Sequence, residues 1–510
     1  MLKIKKILVT FFLLCFVAGA FSQTNEKALS LDECIKTALQ NNLGVAVEIL
    51  SPEISDASVA LARERYLPQL SIRYFTQNTN SPAFSWIDAT DQVTTEYNNY
   101  AAYFEQNLPL GTNFLATLFS YQNDTNQRFQ TINPRFGSTL QFDISQPLLK
   151  NFGYRINRRE IIIAKNNREM SDSQLNQVLL DTVYNVEEAY WNLVYSIEEL
   201  RVRHQSLELA RDLLKKNRRE VEVGTLAPIE ILSAEAEVAT READILQAEA
   251  MVRNNENSLK SIINLNQEGA KDLYKIVPVD MPSYAKTEIS VEQALQTAMN
   301  NRPDLESYRW DIKSRDIDFV FAKNQLLPEL NLEASYWSPG ISGTQILYLD
   351  NNPLTDIIVG TIPGGASNAL NDAFKFQYKN WSAALRLTVP VNTVFSRAQY
   401  VQAKANLDQA KLRLKNQEQQ VYLEVSNAVQ TVQTDFKRIQ AYKVARELAE
   451  KKLDAEEKKL KVGLTTNYLV LQFQRDLANA RSAELRAIID YNLSQARLNR
   501  AMGVGLSSSK

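Results

Sequence analysis

Leu29-Ser-Leu-Asp-Glu-Cys-Ile-Lys-Thr-Ala-Leu-Gln-Asn-Asn42 recurs 260 residues later as Ile289-Ser-Val-Glu-Gln-Ala-Leu-Gln-Thr-Ala-Met-Asn-Asn301, with its apolar positions coincident. Both copies are followed by a helical stretch ending in Leu-Pro, at Leu67-Pro68 and Leu327-Pro328, and then by alternating residues, Gln69-Leu-Ser-Ile-Arg-Tyr74 and Glu329-Leu-Asn-Leu-Glu-Ala334. Period two after a proline predicts a strand leaving a helix. The chain therefore reads as one structural plan performed twice.

Each copy closes with a long helical hairpin. Leu179, Val183, Val186, Tyr190, Leu193, Ile197 and Leu200 are spaced 4-3-4-3-4-3, and the series from Leu179 continues through Leu207, Leu214 and Val221. That is a heptad seam, and with about twenty further residues before it the helix is expected to reach about 100 Å at 1.5 Å per residue. Val425, Val429, Val432, Phe436 and Ile439 repeat five of these positions at an offset of 239, and the breaks Val223-Gly224 and Val462-Gly463 follow at the same offset. The drop from 260 to 239 places extra residues in the first copy, between strand and helix. That segment, roughly 80–146, holds three further alternating runs near 99–107, 113–121 and 136–146, with Leu108-Pro-Leu-Gly111 between the first two. The second copy has one matching run, 378–389, after a Gly/Asn/Pro-rich loop at 338–372.

Composition agrees with long helices and few turns. Gly and Pro number 15 each in 510 residues, against averages of roughly 7% and 5%. The 57 basic and 59 acidic side chains give a net charge of −2, which removes the basic footprint that nucleic acid binding requires. Residues 1–22 read as a secretory signal: Lys3, Lys5 and Lys6, then the apolar run Ile7–Val17, then small residues at Ala18-Gly-Ala20 or Ala20-Phe-Ser22. Its removal takes the charge to −5 and leaves one cysteine, Cys34, with no intramolecular disulfide to form. His204 and Cys34 are too few for a zinc or iron site, no cofactor motif occurs, and Pro363-Gly-Gly365 lacks the lysine and strand–helix setting of a phosphate loop. No Ser/His/Asp or Cys/His set assembles around His204, so no enzyme is expected.

No later stretch offers the 18 or so apolar residues of a spanning helix. In lipid the other backbone solution is a closed β-barrel. One chain supplies two to four strands in the first copy and two in the second, whereas such barrels begin at about eight, so closure requires oligomerisation. Aromatics at Tyr74, Phe75, Tyr97, Tyr100, Tyr103, Phe104, Phe374, Phe376, Tyr378 and Trp381 fall in the expected strand regions, as the girdles of outer-membrane barrels do.

The duplicated plan, the Leu-Ser-Leu-Asp-Glu opening, both Leu-Pro steps, Gln146-Pro-Leu-Leu149 and the two Val-Gly breaks together resemble the outer-membrane efflux protein (TolC-like) family over nearly the whole mature chain. The resemblance implies a mixed, mainly α fold: a homotrimer sharing one β-barrel in outer-membrane lipid of a Gram-negative cell, continued through the periplasm as an α-helical coiled-coil barrel. It implies a passive exit duct for efflux or type I secretion, docked to a periplasmic adaptor and an inner-membrane pump of RND or ABC type. The domains follow as a signal peptide at 1–22, an equatorial helical part at 23–66, barrel strands at 67–146 and a long hairpin at 147–263. The second copy follows with a linker and equatorial part at 264–327, barrel strands and loop at 328–390, a hairpin at 391–503 and a tail at 504–510.

By the same resemblance, Val223, Gly224 and Thr225 with Val462, Gly463 and Leu464 are the adaptor-binding helix tips. Glu230 stands where the first repeat carries an acid at the periplasmic aperture, and three copies around an axis would raise one another's pKa and attract cations. The second repeat departs from the pattern, with Leu469 and Gln472 where many members carry aspartates and Thr465 where some carry an arginine. From the residues alone Glu230 also reads as an acid favoured at a helix start, and each Gly as a left-handed cap. The run Glu456-Glu-Lys-Lys-Leu-Lys461 reads as a solvated helix face. The other function open at this point is a periplasmic coiled-coil scaffold or adaptor without a pore.

Overall fold

The computed structural model describes residues 25–85, 88, 90–128, 130–264, 274–286 and 289–505. The secretory signal expected at 1–22 and the tail residues 506–510 lie outside them. The first repeat runs β1 (Asn25–Leu29), α1 (Leu31–Asn41), α2 (Leu43–Glu64), β2 (Gln69–Pro82), β3 (Gln92–Asn107), β4 (Asn113–Thr125), β5 (Ile132–Pro147), α3 (Tyr154–Asn157), α4 (Arg159–Glu222) and α5 (Ile229–Ile263). The second runs β6 (Tyr274–Pro278), α6 (Val291–Asn301), α7 (Pro303–Asn324), β7 (Glu329–Tyr348), β8 (Ile358–Ile362), α8 (Ala366–Phe374), β9 (Asn380–Thr388), α9 (Val394–Lys461) and α10 (Asn467–Ala501). The bounds of α6 and α7 are those of α1 and α2 shifted by 260.

The repeated motif folds alike because the same caps recur. Ser30 Oγ accepts from the Glu33 N–H (3.3 Å) while Glu33 accepts from the Ser30 N–H (2.9 Å), a capping box at the start of α1. Ser290 Oγ accepts from the Gln293 N–H (3.2 Å) at the start of α6. The two long helices have 64 and 68 residues and the return helices 35 each.

The described residues fall into two compact units, one from those within 25–46, 179–294 and 425–505, the other from those within Val47–Val178 and Leu295–Glu424. The first unit is helical, with one small sheet in which β1 pairs parallel with β6. Its core joins Cys34, Ile35 and Ala38 of α1 to Val183, Val186, Tyr190 and Leu193 of α4, Leu259 and Ile263 of α5, and Ile489 and Leu493 of α10. The Tyr190 hydroxyl donates to Asp280 Oδ2 (2.9 Å) and accepts from the Asp280 N–H (3.1 Å), and the same carboxylate accepts from the Leu31 N–H (2.7 Å), tying the small sheet to the long helix. Toward the helix break the heptad seam drifts. Leu207 is still buried, but beyond it Ala210, Leu213 and Asn217 are buried instead of Leu214 and Val221, because 3.6 residues per turn does not hold a 3.5 repeat over so many turns.

The second unit contains an antiparallel sheet in the order β2-β3-β4-β5-β7, with β9 and β8 paired to successive lengths of the far edge of β7. Its strands outrun the alternating sequence runs, and the stretch 338–372 expected as a loop instead continues β7 to Tyr348 and holds β8 and most of α8. The ladder partners supplied by β5 and β8 extend β7 where composition alone points to a loop. Phe376 and Tyr378 lie in the turn after α8 rather than in a strand, since α8 ends at Phe374 and Phe376 adopts a φ of +52°.

The two faces of this sheet differ in chemistry. One carries Leu70, Ile72 and Tyr74, then Phe104, Ala102 and Tyr100, then Phe114, Ala116 and Leu118, continuing through Phe142 and Leu140, Leu332 and Tyr336, to Leu385 and Trp381. Rings meet across it, Phe104 edge-on to Phe114 and Phe114 stacked on Phe142 at 6.3 Å each, and Phe376 from the turn after α8 stacked on Phe142 and Tyr336 at 6.4 and 5.5 Å. The opposite face carries Ser71 and Arg73, Glu105 and Asn99, Asn113 and Thr117, Gln141 and Asp143, Glu333 and Ser335, Ser382 and Arg386. No helix among the described residues is long and apolar enough to cross a membrane.

Candidate functional site

Both helix breaks lie in the helical unit and close in the same way. At the first, the Thr225 N–H donates to the Glu220 carbonyl (2.9 Å) and the Gly224 N–H to that of Val221 (3.0 Å), with Gly224 at a φ of +79°. At the second, Leu464 N–H donates to Lys459 (3.0 Å) and Gly463 N–H to Leu460 (3.1 Å), with Gly463 at +75°. These are Schellman caps: carbonyls that a helix end leaves bare are satisfied by a residue in the left-handed region, which glycine enters without a Cβ clash. A Cβ built at either glycine meets nothing within 4 Å. Within one chain, then, it is backbone conformation and not close packing that demands glycine here.

The caps turn apolar side chains outward. Val223, Val462 and Leu464 are 73%, 69% and 77% exposed, and Ile229, Leu232 and Tyr468 beside them are exposed as well. Thr225 is drawn back into its own cap, its hydroxyl donating to the Glu220 carbonyl (2.9 Å). Thr465, which takes the place of an arginine in the family pattern, donates to the Glu456 carboxylate of its own hairpin. That bond and the neighbouring Lys459 hold the Glu456 carboxyl below the ordinary range.

Glu230 sits in the first turn of α5, partly buried, and its carbonyl accepts from the buried Asn217 Nδ2 (3.4 Å) across the hairpin. Leu469 and Gln472 lie in the first two turns of α10, Leu469 36% exposed and Gln472 exposed. Exposed ion pairs lace α4 to α5 at Arg218–Glu235 (2.7 Å) and Arg211–Glu242 (2.8 Å); such pairs contribute about 0–1 kcal/mol each.

A deeper cluster has no counterpart in the sequence reading. Arg241 and Glu237, four residues apart on α5, pair at 3.0 Å with side chains only 4% and 9% exposed. Arg241 Nη2 donates to the Leu471 carbonyl (3.3 Å) and Nη1 to Gln474 Oε1 (3.4 Å), both on α10, and Nη1 also donates to the Ser206 carbonyl on α4. Arg475 of α10 closes the set on Glu237. Burial alone raises the pKa of Glu237, but the hydrogen bonds from Arg475 and Arg241 outweigh it and hold the carboxyl below its usual value. Arg241 is pulled the other way, its pKa lowered by burial. The cluster ties the first hairpin to the second near both caps, over an apolar floor of Ala210, Leu213, Leu453, Val470, Leu471 and Leu477. Its sequence signal was Glu and Arg at i,i+4, but Asp454 and Lys458 show the same spacing on an exposed face.

Comparison with known proteins agrees with this architecture. The family described as outer membrane efflux protein matches residues 34–265 and 294–504. Outer membrane efflux protein BepC of Brucella suis is 22% identical over 484 residues, 94% of this chain and 87% of BepC. The probable efflux pump outer membrane protein TtgC of Pseudomonas putida is 20% identical over 337 residues, 63% of this chain and 60% of TtgC. Among solved structures, the CmeC outer membrane channel of Campylobacter jejuni superposes with a TM-score of 0.63 at 16% identity, covering 93% of this chain and 85% of CmeC. The outer membrane protein VceC of Vibrio cholerae gives 0.62 at 15%, covering 93% and 96%.

Proposed function

The chain belongs to the outer membrane efflux protein family, and on that premise we propose that it is the exit duct of a tripartite efflux or type I secretion assembly. Three copies share one β-barrel in the outer membrane, and the helical hairpins continue the duct into the periplasm. The observation that carries this reading is the two-faced sheet, apolar on one side and mostly polar on the other along the band that crosses β2, β3, β4, β5, β7 and β9, the alternation of a barrel wall between lipid and water. The exposed apolar caps at Val223-Gly224-Thr225 and Val462-Gly463-Leu464 fit a docking surface for a periplasmic adaptor, which links the duct to an inner-membrane pump of RND or ABC type. Transport energy comes from that pump.

Glu230, Leu469 and Gln472 line the periplasmic aperture in this reading, with Glu230 its acidic ring. Adaptor docking opens the aperture only by binding the open form more tightly than the closed one. The test is single-channel conductance of the purified protein in a planar bilayer, wild type beside Glu230→Gln. Stepwise channels whose cation preference falls in the variant are expected. Channels of unchanged selectivity would remove Glu230 from the aperture, and protein that partitions as soluble and conducts nothing would overturn the duct. Disulfides engineered across the tips should block export; unimpaired export would refute opening at this end.

A further inference from the structure

The sheet ends on two bare edges. β2 is exposed along its whole length and β9 from Trp381 to Thr388, although both are hydrogen-bonded on their inner sides, to β3 and β7. Lipid leaves no backbone group unpaired without a cost of several kcal/mol, so each edge needs a partner strand. Consecutive strands in the path β2-β3-β4-β5-β7-β9 are all antiparallel. After five alternations β2 and β9 run in opposite directions, so β2 of a second copy laid along β9 continues the same pattern. The apolar face also reaches both edges, at Leu70, Ile72 and Tyr74 on β2 and at Trp381, Leu385 and Leu387 on β9, and all six are exposed.

The β3–β4 hairpin decides the size of the wall. It is the surplus of the first repeat over the second, and it lies inside the sheet. β3 pairs with β2 without interruption from Gln69↔Glu105 to Pro82↔Gln92, and β4 with β5 from Asn113↔Ser145 to Asn123↔Arg135. Its side chains keep phase with their neighbours: Ala102 opposite Ile72 and Leu118 on the apolar face, Asn99 opposite Phe75 and Tyr121 on the other. A hairpin packed outside a barrel would not keep both registers and both phases.

We propose that the assembly closes by pairing β2 of each copy with β9 of the next, and that all six strands of the path enter the wall. This rests on the three-copy reading above, and gives an antiparallel barrel of eighteen strands where the same chain without β3 and β4 would give twelve. At about 4.8 Å between strands and a tilt of about 40°, the backbone radius is about 18 Å instead of about 12 Å. The occupant of each free edge is thus another copy of this chain, and the outer-membrane part of the duct is a wide one.

Three measurements on the full-length protein test this separately. Native mass spectrometry reports the copy number; any value other than three overturns the reading on which the count of eighteen rests. Single cysteines in phosphatidylcholine proteoliposomes are then exposed to a water-soluble maleimide. Asn99→Cys and Thr117→Cys, on the polar face, should label, whereas Ala102→Cys and Leu118→Cys should label only after denaturation. Labelling at all four in a three-copy particle would put the hairpin outside the wall and overturn the proposal alone. Finally, cysteines at Ser71, Arg73 or Phe75 on β2, combined with Ser382, Ala384 or Arg386 on β9, should give disulfide-linked two- and three-chain bands for at least one combination. None from all nine would refute the β2–β9 seam.

Discussion

Replacing Glu237 by alanine should loosen the join between the two hairpins more than any other single change near the caps. The carboxylate faces Arg241 at 3.0 Å with both side chains nearly out of water, while its other partner, Arg475, is 56% exposed. At an effective dielectric near 20, charges about 4 Å apart attract by about 4 kcal/mol, and removing one member of a buried pair costs about 3–5 kcal/mol because the other is left charged and unsolvated. Arg241 would keep only carbonyl and amide partners on Ser206, Leu471 and Gln474. Arg475→Ala removes a pairing that water screens and should cost about 0–1 kcal/mol. Hydrogen–deuterium exchange of the assembled protein reads the difference. In Glu237→Ala the amides of α5 and α10 around positions 237–241 and 471–475 should exchange at least tenfold faster, and in Arg475→Ala by less than about fivefold, from 1.4 kcal/mol per factor of ten. Glu237→Leu with Arg241→Met, which removes both charges, should recover most of the protection. Equal acceleration in Glu237→Ala and Arg475→Ala, or no recovery in the double variant, would refute the assignment of the energy to the buried arm.

Gly224→Ala and Gly463→Ala each force a Cβ into the left-handed region, where nothing else obstructs it. Each should cost about 1–2 kcal/mol, seen as faster exchange confined to the caps, with asparagine tolerated better than alanine. Burial pushes Glu187 on α4 up to about 7 from 4.5. The folded chain then keeps a proton that the unfolded chain has released between those values, so stability falls as pH rises through that window and is level above it. Glu187→Gln should match wild type at pH 4 and melt higher at pH 8, by about 1–3 kcal/mol equivalent; equal melting at both would refute the burial argument. Tyr190→Phe leaves Asp280 without the hydroxyl that bridges it to the long helix. It should cost about 1–3 kcal/mol and raise exchange in β1 and β6 while leaving the caps unchanged.

The duplicated plan was legible because it is written in local chemistry. Ser30 and Ser290 cap helices through their own side chains, Leu-Pro pairs stop them, and glycine at 224 and 463 ends the long ones, each through contacts within a few residues. The seam from Val183 to Leu193 was legible by periodicity, and was lost near Leu214 where helical drift moved the buried face. β1 and β6 were missed. Five residues each, without alternation, they are strands only because they pair with one another across 249 positions.

What the sequence determined by itself is therefore the repeat, the order of its capped helices, alternating strands and long hairpins, and the family that order belongs to, since caps, breakers and heptads act over one or two turns. What only the tertiary structure decided is membership. The β3–β4 hairpin belongs to the sheet because its ladders close on both sides, the stretch 338–372 extends β7 because partners await it, and Glu237 and Arg241 differ from any surface pair because α10 and α4 cover them. Alternation and i,i+4 spacing are the same whether a residue meets water or another element, so only the fold can say which.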